Sequence, residues 1–223
     1  RPNPWSRLYD PSRPPSWLAG ATAFHLATEE YEWARFEGKP YDLFQNFEAH
    51  YNTKIAELKQ EQPDLDLWIK PPRSTVEKDI NNRRATGMTK WIPNYLEYTK
   101  QPWKIYELPD GSPALEVEFE VKLGDVKVTG SIDRIVEWPE EGTYSVEDLK
   151  TGNREERFDQ LGLYAYVCRL LKEDLFLPSD IEQGRFFYAK DGVWSEWKSM
   201  SRYTEEYLTD IYGALDRGIQ NGV

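Results

Sequence analysis

The sequence predicts an α/β protein in which a central mixed β-sheet is flanked by helices and preceded by a helical N-terminal part. Three patterns lead to this fold class. Apolar residues recur at helical spacing in the N-terminal part, they alternate with charged residues over residues 114–123, and a later helical stretch separates these strands from a hairpin. We expect residues 1–223 to form a single domain, made of an extended arm (1–15), a helical part (16–103) and a sheet core with its flanking helices (104–223).

The N-terminal part begins with an arm that prolines keep out of regular structure, namely Pro2, Pro4, Pro11, Pro14 and Pro15. Helices are predicted over residues 17–37, 42–62 and 74–101. The third begins with the capping-box pattern Ser74-Thr75-Val76-Glu77. It should break at Pro93, because a proline disfavours helical backbone at the residue before it.

The sheet core is predicted from residue 104 onward. Strands are expected over residues 104–108, 114–123, 126–138 and 143–150, separated by turn signals that contain glycine. In the second strand, apolar residues alternate with Glu116, Glu118, Glu120 and Lys122, which predicts a sheet with one solvated or functional face. The remaining elements are a helix over residues 155–172, a hairpin of strands 185–189 and 193–198, and a final helix over residues 204–219.

Composition limits the classes of protein to which the chain can belong. With 39% hydrophobic residues it can form a substantial core, and its net charge of −11 argues against a simple basic surface for duplex binding, while a local basic groove stays compatible. The single cysteine, Cys168, leaves no disulfide within the chain and no cysteine cluster, which fits a reducing, intracellular setting. We expect no signal peptide and no membrane span, since no apolar run is long enough for either.

Two acids and a lysine stand out in the predicted strands. Asp133 lies in an apolar run of the third strand, while Asp148 and Lys150 lie in the fourth and, by strand alternation, point to the same face. Carboxylates are preferred ligands of Mg²⁺ and Mn²⁺, the carbonyl of Leu149 is a further candidate ligand, and a nearby lysine can stabilise charge that develops on a phosphate. Taken singly, each residue is better explained as solvated or ion-paired. Together they favour metal-dependent hydrolysis of a phosphodiester.

These residues belong to an ordered set of motifs. The set consists of Gly130-Ser131-Ile132-Asp133, then Asp148-Leu149-Lys150-Thr151-Gly152, then Gln160 and Tyr164 at a Gln-x-x-x-Tyr spacing. In this order it resembles the PD-(D/E)xK nuclease superfamily, and more closely its RecB-like branch, which includes phage recombination exonucleases and CRISPR-adaptation nucleases. The resemblance covers roughly residues 20 to 170. It implies a restriction-endonuclease-like core and places Asp133, Asp148 and Lys150 in the catalytic centre.

The resemblance also assigns roles outside the central strands. It implies that His25, at the end of Ala21-Thr22-Ala23-Phe24-His25, is a metal ligand, although a lone histidine on an apolar helix is more often structural. Glu116 is a further candidate acid through its Glu-x-x-Phe spacing to Phe119, with Glu118 and Glu120 as alternatives on the same face. Gln160 and Tyr164 lie one helical turn apart and would support the lysine or the DNA backbone. The alternative for this pair is simple packing of the helix on the sheet.

The resemblance implies Mg²⁺ or Mn²⁺ as the cofactor. Many relatives also bind an iron–sulfur cluster through four cysteines. This chain has only Cys168, so we expect it to resemble the cluster-free members.

Basic and aromatic residues near the motifs are the candidates for DNA contact. They are Arg83, Arg84, Lys90, Trp91, Arg134, Arg154 and Arg157. Lysine and arginine at these positions would form a local positive groove on an acidic body, and Trp91 could stack on an unpaired base. For any one of them, helix-surface charge or core packing is the alternative.

The sequence therefore predicts a metal-dependent deoxyribonuclease, with an exonuclease of DNA repair or phage-type recombination as the leading hypothesis. It would act in the cytoplasm of a bacterium or of a phage-infected host cell, with DNA as its substrate and a single-strand annealing protein as a candidate partner. The alternatives are a non-catalytic nucleic-acid-binding or recombination module on the same fold, a site-specific endonuclease, and an RNase.

Overall fold

The computed structural model of the chain describes residues 12–152, 154 and 158–220, with side chains up to Ala214. The described residues form two compact units. The first contains residues 12–100 together with 150–152 and 188–193, and the second contains the remaining described residues. The prediction that the whole chain forms a single domain stays a prediction.

The first unit is helical. Its elements are α1 (Leu18–Phe36), α2 (Leu43–Glu61), a 3₁₀ turn (Leu65–Leu67), α3 (Val76–Thr86), a π-helical segment (Gly87–Trp91) and α4 (Ile92–Tyr98). Asp42 caps α2, because its side chain accepts a hydrogen bond from Gln45 N at 3.0 Å. In the predicted arm, the carbonyl of Pro14 accepts a hydrogen bond from Ile69 N at 3.1 Å, while residues 1–11 lie outside the described part.

Two details of the third helical stretch differ from the prediction. Thr75 is its N-cap and accepts a hydrogen bond from Lys78 N at 3.2 Å, so the predicted capping box based on Ser74 is wrong. Pro93 does not break the helix either. It lies in the first turn of α4, where a helix does not need a backbone N–H donor. The π segment just before it is wider than an α-helical turn and accommodates the proline.

Aromatic side chains fill the core of the first unit. The ring of Trp91 packs edge-on against those of Phe24 and Phe47 at centroid distances of 5.9 and 6.4 Å. Gly87 begins the π segment against the Phe47 ring, and a Cβ at this position would lie 2.1 Å from Phe47 Cζ. The glycine therefore allows the π segment to pack directly on α2.

The second unit contains the sheet. Its elements are β1 (Lys104–Ile105), β2 (Leu115–Leu123), β3 (Val126–Trp138), β4 (Thr143–Lys150), α5 (Asp159–Leu170), β5 (Gln183–Tyr188), β6 (Val193–Trp194), β7 (Lys198–Ser199) and α6 (Glu205–Gln220). A few residues at the ends of β4, β5 and β6 belong to the first unit.

The strand order is β1-β3-β4-β5-β6, with β2 also paired to β3 and β7 also paired to β5. β3 pairs antiparallel with β1, β2 and β4. The connection from β4 to its neighbour β5 contains α5, as expected when a helix joins adjacent strands across a sheet. The predicted fold class, a mixed sheet with flanking helices and a helical N-terminal part, is confirmed.

The predicted boundaries agree closely with β2, β3 and β4. β1 is shorter than expected, with an isolated bridge between Glu107 and Pro113 in place of its second half. The expected strand over residues 193–198 divides into β6 and the start of β7. Among the described residues, no helix has both the length and the apolar character needed to cross a bilayer.

Candidate active site

Three acids form a row across adjacent strands of the second unit. In the β2–β3 register, Leu115 pairs with Arg134 and Val117 with Ile132, so Glu116 lies opposite Asp133. In the β3–β4 register, Arg134 pairs with Glu147, and the next position on each strand is occupied by Asp133 and Asp148. Side chains at opposing positions of antiparallel strands share a face. The register therefore places Asp133 and Asp148 together, and the Glu116 carboxylate lies within 4.8 Å of that of Asp133. We call the row Glu116–Asp133–Asp148 the acid row.

Glu116 interrupts the regular alternation of β2. Its φ of +46° lies in the left-handed region, which a residue with a side chain rarely adopts and which is common at functional sites. Glu116 Oε2 accepts a hydrogen bond from Ser131 Oγ at 2.7 Å, and the Glu116 and Asp133 carboxylates have oxygens within 4.8 Å of each other. Burial raises the pKa of Glu116, and the Asp133 charge adds to this, against the opposing effects of Ser131 and Arg134.

α5 places a chain of hydrogen bonds on the acid row. Gln160 Nε2 donates to the Tyr164 hydroxyl at 2.6 Å, and this hydroxyl donates to Asp133 Oδ1 at 3.2 Å. Burial, followed by the charges of Asp133 and Asp148, raises the pKa of Tyr164 far above its usual value. The phenol therefore stays protonated and acts as a donor. The structure thus brings Gln160 and Tyr164 to Asp133.

Packing fixes the position of α5. Gly162 faces the ring of Tyr203, and a Cβ at this position would lie 2.2 Å from the ring. The ring of Phe119 reaches the edge of Tyr164 at 6.4 Å, and it lies across the sheet on Gly130, where a Cβ would approach within 3.0 Å. The glycine of the predicted Gly-x-x-Asp motif therefore makes room for the aromatic ring that supports Tyr164.

The remaining predicted ligands lie in different surroundings. Asp148 is 1% exposed, and Leu149, whose carbonyl was a candidate ligand, is also buried. Lys150 ends β4 partly exposed, and its carbonyl accepts a hydrogen bond from Ala189 N at 2.9 Å. His25 lies on α1, half-buried, with its ring edge-on to Phe24 at 6.2 Å. His25 and Lys150 belong to the first unit and the acid row to the second, so their joint role stays a prediction.

Two of the predicted DNA contacts are corrected by burial. Trp91 is 2% exposed and packs in the aromatic core of the first unit, so its ring offers no face to a base. Arg134 is 3% exposed within the sheet, where its charge lowers the pKa of Glu116. Local sequence does not separate a buried arginine in a strand from an exposed one, and this is why the prediction for Arg134 was wrong.

The other candidates for DNA contact have varied surroundings. Arg83 Nε donates to the buried Asp79 at 2.8 Å, which leaves the rest of a partly exposed guanidinium available. Arg84 lies over the Tyr51 ring at 5.4 Å and hydrogen-bonds Asn52. Lys90 and Arg154 are exposed, and Arg157 lies outside the described residues. DNA contact by these five residues stays a prediction.

Sequence reasoning missed one buried ion pair next to the acid row. Arg185 Nε donates to Glu147 Oε1 at 3.0 Å, and Glu147 is fully buried beside Asp148 in β4. A glutamate before the aspartate of the motif was a visible signal, since a charged residue in a central strand needs a partner. That partner, Arg185, lies 38 residues further along the chain, which no local pattern indicates.

Comparison with known proteins identifies the family. A sequence model of the PD-(D/E)XK nuclease superfamily matches residues 20–211. The chain belongs to this superfamily. It is similar to the Gene 69 protein of Mycobacterium phage D29, with 32% identity over 214 residues that cover 93% of this chain and 77% of the relative. It is also similar to the Gene 69 protein of Mycobacterium phage L5, with 28% identity over 238 residues that cover 95% and 80%, respectively.

Membership of the PD-(D/E)XK superfamily supports a nuclease that hydrolyses phosphodiester bonds with the help of a divalent metal ion. The predicted membership is confirmed, and the relatives from phages agree with the phage branch. The matched region includes the acid row, Lys150 and α5.

Proposed function

We propose that the protein is a divalent-metal-dependent deoxyribonuclease that acts as an exonuclease in phage recombination or DNA repair. One observation supports this most directly. The acid row of Glu116, Asp133 and Asp148 crosses three strands of a sheet in a chain of the PD-(D/E)XK superfamily, and Tyr164 donates a hydrogen bond into it. The phage origin of the Gene 69 relatives supports a role in an infected host cell.

The acid row suits a hard divalent cation. Glu116 and Asp133 have carboxylate oxygens within 4.8 Å of each other, and burial together with the Asp133 charge raises the pKa of Glu116. Such crowding of partly buried acids is unfavourable unless a cation balances it. Mg²⁺ and Mn²⁺ prefer oxygen ligands. We propose Asp133, Asp148 and the carbonyl of Leu149 as ligands, with His25 and Glu116 completing the set.

The metal ion and the other motif residues would have separate roles in the reaction. A divalent ion bound there would lower the pKa of a water molecule and balance the charge on the phosphate. Lys150, two residues after Asp148 on β4, would stabilise the negative charge that develops on the phosphate oxygens. Gln160 and Tyr164 would hold the Asp133 carboxylate in one orientation, because their hydrogen bonds run towards it.

Cleavage of labelled DNA with Mg²⁺ or Mn²⁺ tests this function. We expect EDTA to abolish cleavage and Lys150→Met to lower it by at least about a hundredfold, as for other groups that stabilise developing charge. Lys104→Met is the matched control, since Lys104 is also a strand lysine next to an acid, Glu137, at 3.1 Å. A wild-type protein that binds DNA with or without EDTA and never cleaves it would instead support a non-catalytic module.

The choice of substrate tests whether the protein is an exonuclease and whether it acts on DNA. An exonuclease degrades linear DNA and leaves closed circular DNA intact, so nicking or linearisation of circles would indicate an endonuclease. Faster cleavage of RNA than of DNA would overturn the assignment as a deoxyribonuclease. A partnership with a single-strand annealing protein stays a prediction.

Metal binding is tested separately from cleavage by calorimetry with Mn²⁺. We expect Asp133→Asn to lose Mn²⁺ affinity, and Lys150→Met to keep it while losing turnover. Unchanged Mn²⁺ binding in Asp133→Asn would show that the proposed ligands are wrong.

A further inference from the structure

A second row of charged residues lies next to the acid row. It consists of Arg134 on β3, Glu147 on β4 and Arg185 on β5, and all three are at least nine-tenths buried. Arg134 and Glu147 are paired in the β3–β4 register, and Arg185 Nε donates to Glu147 Oε1 at 3.0 Å. This row therefore places alternating charges on three neighbouring strands, with an ion pair between Arg185 and Glu147.

Three tryptophans hold the guanidinium of Arg185. Its central carbon lies 3.4 Å from the ring centroid of Trp194, 4.0 Å from that of Trp197 and 4.8 Å from that of Trp138. Trp138 is itself fixed, because its Nε1 donates to Ser145 Oγ at 3.1 Å. Stacking of this kind suits the flat, weakly hydrated guanidinium better than a lysine ammonium, which has no planar face to stack.

The second row shares its backbone with the acid row. Glu147 directly precedes Asp148 on β4, and Arg134 directly follows Asp133 on β3, so the side chains of each pair point to opposite faces. A fixed Glu147 side chain therefore fixes the rotation of β4 at Asp148. Gly184 permits the close approach of β5 that this needs, because a Cβ there would lie 2.9 Å from the carbonyl oxygen of Val146.

We propose that Arg185 is a positioning residue for the metal site. Clamped between tryptophans, it holds Glu147 and thereby sets the orientation of Asp148 on the other face of the strand. This inference rests on the proposed function, in which Asp148 is a metal ligand. Replacing a residue that orients a metal ligand without contacting the metal typically lowers metal affinity or activity by about 10–100-fold.

The test uses the full chain with Arg185→Lys, which keeps the positive charge and loses the planar fork. We expect Mn²⁺ affinity, measured by calorimetry, to fall about tenfold, with cleavage partly recovered at high Mn²⁺ concentration. Arg202→Lys is the matched control, because Arg202 also stacks on an aromatic ring, that of Tyr203 at 4.8 Å, and hydrogen-bonds the Tyr203 hydroxyl at 2.7 Å. It should bind Mn²⁺ as the wild type does.

The outcomes separate this inference from the proposed function. A wild-type protein that binds no Mn²⁺ would overturn the proposed function and the inference with it. If the wild type binds Mn²⁺ and Arg185→Lys binds it within twofold, with only a lower melting temperature in EDTA, Arg185 is purely structural and this inference alone is wrong. If Arg185→Lys does not fold, Trp197→Phe replaces it as the test variant. Trp197 is 39% exposed, and its replacement loosens the packing around the Arg185 guanidinium more gently. Wild-type Mn²⁺ affinity in Trp197→Phe would then overturn the inference.

Discussion

At the scale of single residues, the hydroxyl of Tyr164 has a specific task that a variant can test. It donates to Asp133 at 3.2 Å, and its raised pKa keeps it protonated. We expect Tyr164→Phe to lower cleavage about 10–100-fold at limiting Mn²⁺, because it removes the donor that orients a ligand. The free energy of unfolding should change by only about 1 kcal/mol, the usual value of one hydrogen bond.

The control for this prediction lies on the same helix. Tyr166 also hydrogen-bonds a carboxylate, that of Glu205, and burial, followed by the Glu205 charge, raises the pKa of Tyr166. Tyr166→Phe should therefore cleave DNA at the wild-type rate. Equal losses of activity in the two variants would show that any change in α5 impairs the enzyme and that the Tyr164 hydroxyl has no particular role.

Cys168 gives a second prediction at this scale. The thiol is 1% exposed, and burial raises its pKa to about 12. At pH 8 it is therefore protonated as well as inaccessible, and the thiolate is the form that reacts. We expect no reaction with a thiol reagent such as DTNB in the native protein, and the release of one equivalent of chromophore in urea. Rapid labelling without denaturant would contradict the buried position.

How far the sequence predicts the site depends on the residue. The grouping of Asp133, Asp148 and Tyr164 was predictable because their motifs have fixed spacings. The β3–β4 register places the two acids side by side, and a hydrogen bond joins Tyr164 to Asp133. The predictions that Trp91 and Arg134 contact DNA were wrong because a local sequence pattern does not indicate burial. Aromatic rings of α1 and α2 enclose Trp91 and the sheet encloses Arg134, and both environments arise from contacts between distant parts of the chain.

At the scale of elements, the position of α5 depends on a glycine. A Cβ at Gly162 would lie 2.2 Å from the ring of Tyr203, which is fully buried. Alanine in a helix favours folding by about 1 kcal/mol over glycine, whereas overpacking of a core costs about 1–3 kcal/mol or more. Because the overlap is severe, we expect Gly162→Ala to lower the free energy of unfolding by about 1–2 kcal/mol, as measured by urea titration.

A second helical glycine provides the comparison. At Gly20 on α1 a Cβ would lie 3.1 Å from Trp91 Cη2, a tight contact that a small adjustment relieves. Gly20→Ala should therefore change stability by less than about 1 kcal/mol, since the gain in helix propensity offsets the contact. A larger loss in Gly20→Ala than in Gly162→Ala would contradict the packing described for α5.

The elements themselves were largely predictable, with exceptions that have physical causes. β2, β3 and β4 followed from alternation and turn glycines, and α2 lies within one residue of its predicted bounds at each end. The π segment of Gly87–Trp91 was not predictable, because it depends on the packing of Gly87 against the Phe47 ring of another helix. The division into β6 and β7 depends on separate pairings with β5, which are likewise not local.

At the scale of the whole molecule, the acid row should make stability depend on metal. The chain carries a net charge of −11, and in the acid row burial, to which the Asp133 charge adds, raises the pKa of Glu116. A ligand that binds only the folded protein stabilises it by about 2.7 kcal/mol at a hundred times its Kd. For a chain of this length each kcal/mol raises Tm by about 2–4 °C. We therefore expect saturating Mn²⁺ to raise Tm by several degrees relative to EDTA.

Asp133→Asn separates stabilisation by a bound metal ion from a generic effect of Mn²⁺ on the protein. The variant should lose the response to Mn²⁺, because it lacks a ligand, and its Tm in EDTA should equal or exceed that of the wild type, because one of the repelling charges is gone. A generic effect of Mn²⁺ on an acidic surface would instead persist in Asp133→Asn. It would also persist in Glu120→Gln, which removes an exposed acid of β2 that pairs with Lys127 at 2.7 Å. Calorimetric melting of the three proteins with EDTA and with Mn²⁺ distinguishes the two cases, since only a site at the acid row abolishes the response in Asp133→Asn and keeps it in Glu120→Gln.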